Sequence, residues 1–189
     1  MRLRTILLMM LLLAAAGCSE RRETAAPAEP AATASAPAAE PAAPVVVTLG
    51  SVMPAYTAKL LDGADFDVAK ERGNVVLVNL WATWCGPCRY EIPELEKLHK
   101  DHAASKFKVV GVSVDEGGDQ LVRDFVNEQK MTYPVALDPD GRLAEMLETT
   151  ILPTSIILDR EGKVVWKHFG VVTVSDPEMM KALEAALKS

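Results

Sequence analysis

The sequence predicts an α/β domain over residues 45–189, a mixed central sheet flanked by helices, with a strand extension on its N-terminal side and a β-hairpin plus helix at its C-terminal end. Two observations predict it. Strand-like apolar runs alternate with runs of helical apolar spacing, the pattern of an α/β sheet. The last two strand-like runs are joined only by Arg160-Glu161-Gly162. That is too few residues for a crossover between parallel strands, so the pair forms an antiparallel hairpin and makes the sheet mixed.

The strands are expected over residues 55–61, ended by an Asp62-Gly63 turn, and over 75–81, 108–114, 155–159 and 164–169. The first helix is expected from Cys85 to about residue 104, with Ile92, Leu95 and Leu98 on one face and Pro93 kinking it. A second helix, 120–130, follows a capping Asp119, and a short one is expected over 142–147. The last, 177–188, opens with the capping box Ser175-x-x-Glu178. A stretch of this length makes one domain that buries roughly 70% of its unfolded surface.

The first 44 residues have a different character. Arg2 and Arg4 precede an apolar run over residues 6–16. This run is shorter than the about 20 residues of a membrane-crossing helix, so it reads as the core of an export signal over residues 1–17. Leu13-Ala14-Ala15-Ala16-Gly17-Cys18 is similar to the bacterial lipoprotein signal, in which the cysteine is lipidated and becomes the new N-terminus. Ala15 departs from it, standing where a larger aliphatic residue is usual. The alternative is an exported domain with a free Cys18. Residues 18–44 are dominated by Ala, Pro, Glu, Thr and Ser, with prolines at 27, 30, 37, 41 and 44, and are expected to form a disordered, partly polyproline tether whose role is reach.

The formal charge is −6, no basic cluster stands in the domain, and nucleic acid is excluded as a partner. Of three cysteines, Cys18 is assigned to lipid, which leaves Cys85 and Cys88 as a self-contained pair. A secreted domain stapled by disulfides would have more cysteines at wider spacing.

That pair lies in Trp84-Cys85-Gly86-Pro87-Cys88, directly after the all-apolar run Val75-Val76-Leu77-Val78 and Asn79-Leu80-Trp81. A buried strand thus delivers two thiols to a helix start, where unpaired N–H groups and the helix dipole favour a thiolate at Cys85. Pro87 suits the first turn, where its missing donor is not needed. With Cys85 at the exposed tip and Cys88 about one turn inward, the first is expected to attack a disulfide and the second to resolve the adduct. A zinc site shared with His99 and His102 is ruled out by distance, since Cys88 and His99 on one helix lie about 16 Å apart. Those histidines are expected to be solvated. Covalent haem would need a histidine directly after Cys88, where Arg89 stands. No metal and no cofactor are expected. A purely structural disulfide is the remaining alternative.

The stretch from Trp81 to Leu95, Trp81-Ala82-Thr83-Trp84-Cys85-Gly86-Pro87-Cys88-Arg89-Tyr90-Glu91-Ile92-Pro93-Glu94-Leu95, resembles the thioredoxin-like proteins of the TlpA and ResA type. Similar blocks follow at 109–116, 133–135, 138–141 and 152–162, so the resemblance extends over residues 50 to 175. It implies a thioredoxin fold. It also implies that Pro153 is a cis-proline beside the cysteines and that the Leu152 backbone pairs with bound substrate; without it, Pro153 reads as a strand-start proline. Trp84, Gly86 and Pro87 are then contact surface. On spacing alone Glu91 reads equally as an exposed helix carboxylate, but the resemblance makes it the group that tunes the thiols, the expected proton acceptor for Cys88. The buried acid that cytosolic thioredoxin has in the preceding strand falls at Asn79, which does not titrate. Peroxide-reducing relatives need a Pro-x-x-x-Thr-x-x pattern that residues 79–84 lack.

The function expected is a membrane-tethered, monomeric reductase of disulfides in exported proteins, recharged by a membrane electron donor. Similar proteins suggest apocytochrome c, and so cytochrome c biogenesis, or a metallochaperone as client. An oxidase or isomerase on the same scaffold and a non-catalytic tethered binding module are the alternatives. The expected location is the periplasmic side of the cell envelope, at the outer membrane because Ser19 stands where inner-membrane retention in enteric-type bacteria uses aspartate.

Overall fold

The computed structural model describes residues 45–189. The export signal, Cys18 and the tether lie outside the described residues. One seven-stranded sheet organises the domain in the order β2-β1-β5-β4-β3-β6-β7, from β1 (Thr57–Leu60), β2 (Asp65–Asp67), β3 (Val75–Trp81), β4 (Phe107–Ser113), β5 (Val135–Leu137), β6 (Thr154–Leu158) and β7 (Val164–Phe169). The helices are α1 (Gly86–Asp101), α2 (Asp119–Gln129), α3 (Arg142–Met146) and α4 (Pro177–Lys188).

The wholly buried β3 sits near the middle of the sheet, parallel to β4 and antiparallel to β6. Its side chains alternate between two cores, as a period of two requires. Val75, Leu77 and Trp81 join one cluster with Ile92, Leu95 and Leu98 of α1, Phe125 of α2 and Leu183 of α4. Val76, Val78 and Leu80 join the other, with Tyr56, Phe66 and Leu143. Asn79 has the parity of the first set and meets α1. Gly111 on β4 allows Trp81 to lie close, since a Cβ there would come within 2.8 Å of Trp81 Nε1 and 3.2 Å of Tyr133 Cε2.

The β6–β7 hairpin forms as expected, with Asp159 Oδ1 accepting from the Glu161 and Lys163 amides and Gly162 at φ 69°. Other expectations are corrected. Strand β1 is shorter than 55–61, and α1, which holds Pro93 exposed within it, ends at Asp101 rather than near residue 104. Asp119 does not cap α2 but occupies its first turn, behind Gly118 at φ 88°. Asp176, not Ser175, caps α4, accepting from the Glu178 and Met179 amides, while Ser175 pairs with Thr173. The three-residue strands β2 and β5 and a 3₁₀ turn, Val68–Glu71, are additional.

Candidate active site

Strand β3 ends at Trp81, and residues 82–84 lead from it into α1. Thr83 is clamped there by the buried carboxylate of Asp115 just beyond β4, which accepts from the Thr83 amide at 2.9 Å, the Thr83 hydroxyl at 2.6 Å and the Ser113 hydroxyl at 2.7 Å. Arg89 braces the same loop from α1, stacking 4.6 Å from the Phe125 ring centre with Nη2 donating to the Thr83 carbonyl. Spacing does not single out Asp115; its only signal is an acid two residues past the end of the buried strand β4.

Cys85 is the N-cap of α1, with Sγ accepting from the Cys88 amide at 3.2 Å, and the two sulfurs are bonded to each other with Cα atoms 5.4 Å apart. The helix tip is exposed at Gly86 and Pro87, and the preceding Trp84 is 70% exposed. Cys85 itself is only 4% exposed and Cys88 is fully buried. The expected exposed cysteine is thus a recessed one ringed by exposed neighbours, with Cys88 the deeper of the two.

Below Cys88, one turn along α1, lies Glu91, also fully buried. Its carboxylate accepts from Asn79 Nδ2 at 2.8 Å and from the Val172 amide at 3.0 Å, and Asn79 also donates to Ser155 on β6. Burial pushes the Glu91 carboxyl up to about 7, opposed by the hydrogen bonds from Val172 and Asn79. The reading of Glu91 as an exposed carboxylate is therefore corrected. Asn79 does not titrate but holds the residue that does. One turn further, Glu94 accepts from the Val174 amide at 2.8 Å, so two carboxylates of α1 receive alternate amides of the segment leading to α4.

The Leu152–Pro153 peptide is cis, Pro153 is buried, and its carbonyl accepts from the Gly170 amide at 2.8 Å. Leu152 and Trp84 line one groove. His99 and His102 are half-buried rather than solvated, packed edge-on against Tyr133 and Phe107.

The Redoxin family pattern matches residues 48–186. The chain belongs to the Redoxin family. Within it, the chain is 35% identical over 137 residues to the thioredoxin-like protein YneN of Bacillus subtilis (strain 168), covering 71% of this chain and 79% of that one. It is 30% identical over 129 residues to the thiol-disulfide oxidoreductase ResA of the same strain, covering 68% and 72%. A thiol:disulfide interchange protein of the thioredoxin family from Chlorobium tepidum TLS superposes with a TM-score of 0.64 at 28% identity, over 74% of this chain and 98% of the other. StoA from Bacillus subtilis does so at 0.59 and 25%, over 68% and 96%. This Redoxin chain has a thioredoxin-like fold and is a thiol-disulfide oxidoreductase of the ResA and StoA type, with Cys85 and Cys88 as its bonded CxxC pair.

Proposed function

We propose that the protein is a reductase of disulfides in exported proteins, tethered to the membrane through a lipid on Cys18 and recharged by a membrane electron donor. The observation that carries the direction is the charge around the pair. The buried ionisable groups beside it, Glu91 below Cys88 and Asp115 behind Thr83, are carboxylates, and no lysine, arginine or histidine is buried among the described residues. Strong oxidants of this chemistry are those whose reduced form is stabilised. Buried acids disfavour a second negative charge at the thiols, destabilise the reduced form and so favour giving electrons away.

In the proposed cycle the Cys85 thiolate, supported by the α1 N-terminus, attacks one sulfur of a client disulfide. The client S–S bond breaks and a mixed disulfide forms. The Cys88 thiol passes its proton toward Glu91, whose carboxyl near 7 suits that exchange, and the resulting thiolate attacks Cys85 Sγ. The client leaves with two electrons and its second sulfur free, and the protein is left as the disulfide. Trp84, Gly86, Pro87, Leu152 and Pro153 form the surface on which the client lies. The working form is a monomer. No helix among the described residues is long and apolar enough to cross a membrane, and in this reading the lipid holds the domain to the periplasmic side of the outer membrane. Apocytochrome c, in cytochrome c biogenesis, or a metallochaperone is the client class.

The test is the reduction potential of the pair in the full chain, equilibrated against glutathione or dithiothreitol mixtures. The expected value is at or below about −230 mV, with the reductants of this chemistry, whereas a value near about −120 mV reverses the electron flow and makes the protein an oxidase.

A further inference from the structure

The groove that begins at Trp84 has a volume of about 290 Å³. Pockets for drug-sized ligands span about 300–1,000 Å³, so this one suits one or two side chains of a polypeptide. Its apolar wall is formed by Trp84, Val114, Leu152 and Ala144, and its polar rim includes two carboxylates, Glu116 and Asp140. Both are exposed, and neither has an ion-pair or hydrogen-bond partner among the described residues. No lysine, arginine or histidine lines the groove. Arg142, next in the chain to its Gly141, is engaged by Asp138 at 3.2 Å and by the Thr57 carbonyl at 2.7 Å.

Both acids stand on braced backbone. Glu116 follows Asp115, which is clamped to Thr83 and Ser113, and Asp140 lies in a turn closed by the Gly141 amide on the Asp138 carbonyl at 2.9 Å. The groove therefore offers an apolar wall that includes Trp84, the residue before Cys85, and an uncompensated negative rim on braced backbone. The complementary occupant is an apolar side chain with a cation beside it.

We propose that this groove selects clients by charge, accepting an exported polypeptide that carries, within a few residues of the attacked cysteine, an apolar side chain and beside it a lysine or arginine. The apolar side chain packs on Trp84 and Leu152, and the cation sits between Glu116 and Asp140. The inference rests on the reading of Cys85 as the group that attacks client disulfides.

The experiment uses the reduced full chain. A neutral probe, hydroxyethyl disulfide, comes first, and then three peptides, each a mixed disulfide with mercaptoethanol, identical except for Lys, Gln or Glu after the apolar residue. The second-order rate constant is expected to rank Lys over Gln over Glu, with Lys about tenfold above Glu at low ionic strength. The ratio falls toward one at 1 M salt, where the screening length is about 3 Å. The double variant Glu116→Gln, Asp140→Asn brings the Lys-to-Glu ratio within about twofold, whereas Glu161→Gln, Glu178→Gln, which removes two charges outside the groove, retains it. Equal rates for the three peptides, or a ratio that survives in the groove variant, overturn the selection by charge while leaving the exchange reading intact. Failure to reduce hydroxyethyl disulfide overturns the exchange reading itself, and this inference with it.

Discussion

Cys88→Ser is expected to arrest the protein on its clients, accumulating mixed disulfides through Cys85 and halting turnover after the first half-reaction, whereas Cys85→Ser accumulates none. The expectation follows from depth and from the helix end. Cys85 caps α1, where backbone N–H groups support a thiolate, and its neighbours Trp84, Gly86 and Pro87 are exposed. Cys88 is fully buried one turn inside, reachable by Cys85 Sγ but not by a folded client. Removing the inner thiol therefore removes the group that expels the client, while removing the outer one removes the group that receives it. Non-reducing electrophoresis of cell-envelope extracts, followed by mass spectrometry of the adducts, checks this. Equal trapping by both variants contradicts the division of roles.

Glu91→Gln is expected to remove a fall in stability that the wild type shows as pH rises from 4.5 to 7. In the folded protein the carboxyl titrates near 7, against 4.5 for an ordinary glutamate, because burial disfavours its charge. A raised pKa means that the folded state holds this proton more tightly than the unfolded one. The stabilisation is complete below about pH 4.5 and is lost as pH rises through 7, a difference of about 3 kcal/mol. Glutamine has the same shape and no charge to bury. Its amide faces two donors, Asn79 and the Val172 amide, and a flip of Asn79 turns one of them into an acceptor, with Ser155 reversing its hydroxyl to match. The wild-type unfolding free energy should fall between pH 4.5 and 7 relative to the variant, and the variant should be the more stable at pH 8. Denaturant titrations across that range measure the difference, and parallel profiles show that Glu91 does not hold its proton. In the resolution half-reaction the variant should also lose the inflection near pH 7 in its rate.

The parts of this molecule legible in the sequence are those in which neighbouring residues state their own environment. The apolar run of β3, the Ile92, Leu95 and Leu98 face of α1 and the short Arg160-Glu161-Gly162 link each specify an element locally. The two cysteines declare themselves by spacing. Strands β2 and β5 do not, because three residues hold no period and β5 is placed only by its pairing with β1 and β4. The caps lie one residue from where the sequence places them, at Gly118 beside Asp119 because only glycine readily takes φ 88°, and at Asp176 beside Ser175 because the extended backbone falls at Asp176. Glu91 follows Arg89 and Tyr90, both exposed, and nothing local marks it as buried. Its burial depends on a partner 81 positions away, the Val172 amide.

That distant partner gives the site an internal observer. Glu91 and Glu94 stand toward residues 172–174 as the carbonyls of a neighbouring strand would, each accepting one of two alternate amides. The hydrogen bond from Val172 is charge-assisted while Glu91 is ionised and weakens when the carboxyl takes up a proton. The chemical shift of one backbone amide therefore follows the charge beneath the thiols, and heteronuclear spectra of the unmodified protein can read the proton balance of the reaction without a probe on either cysteine.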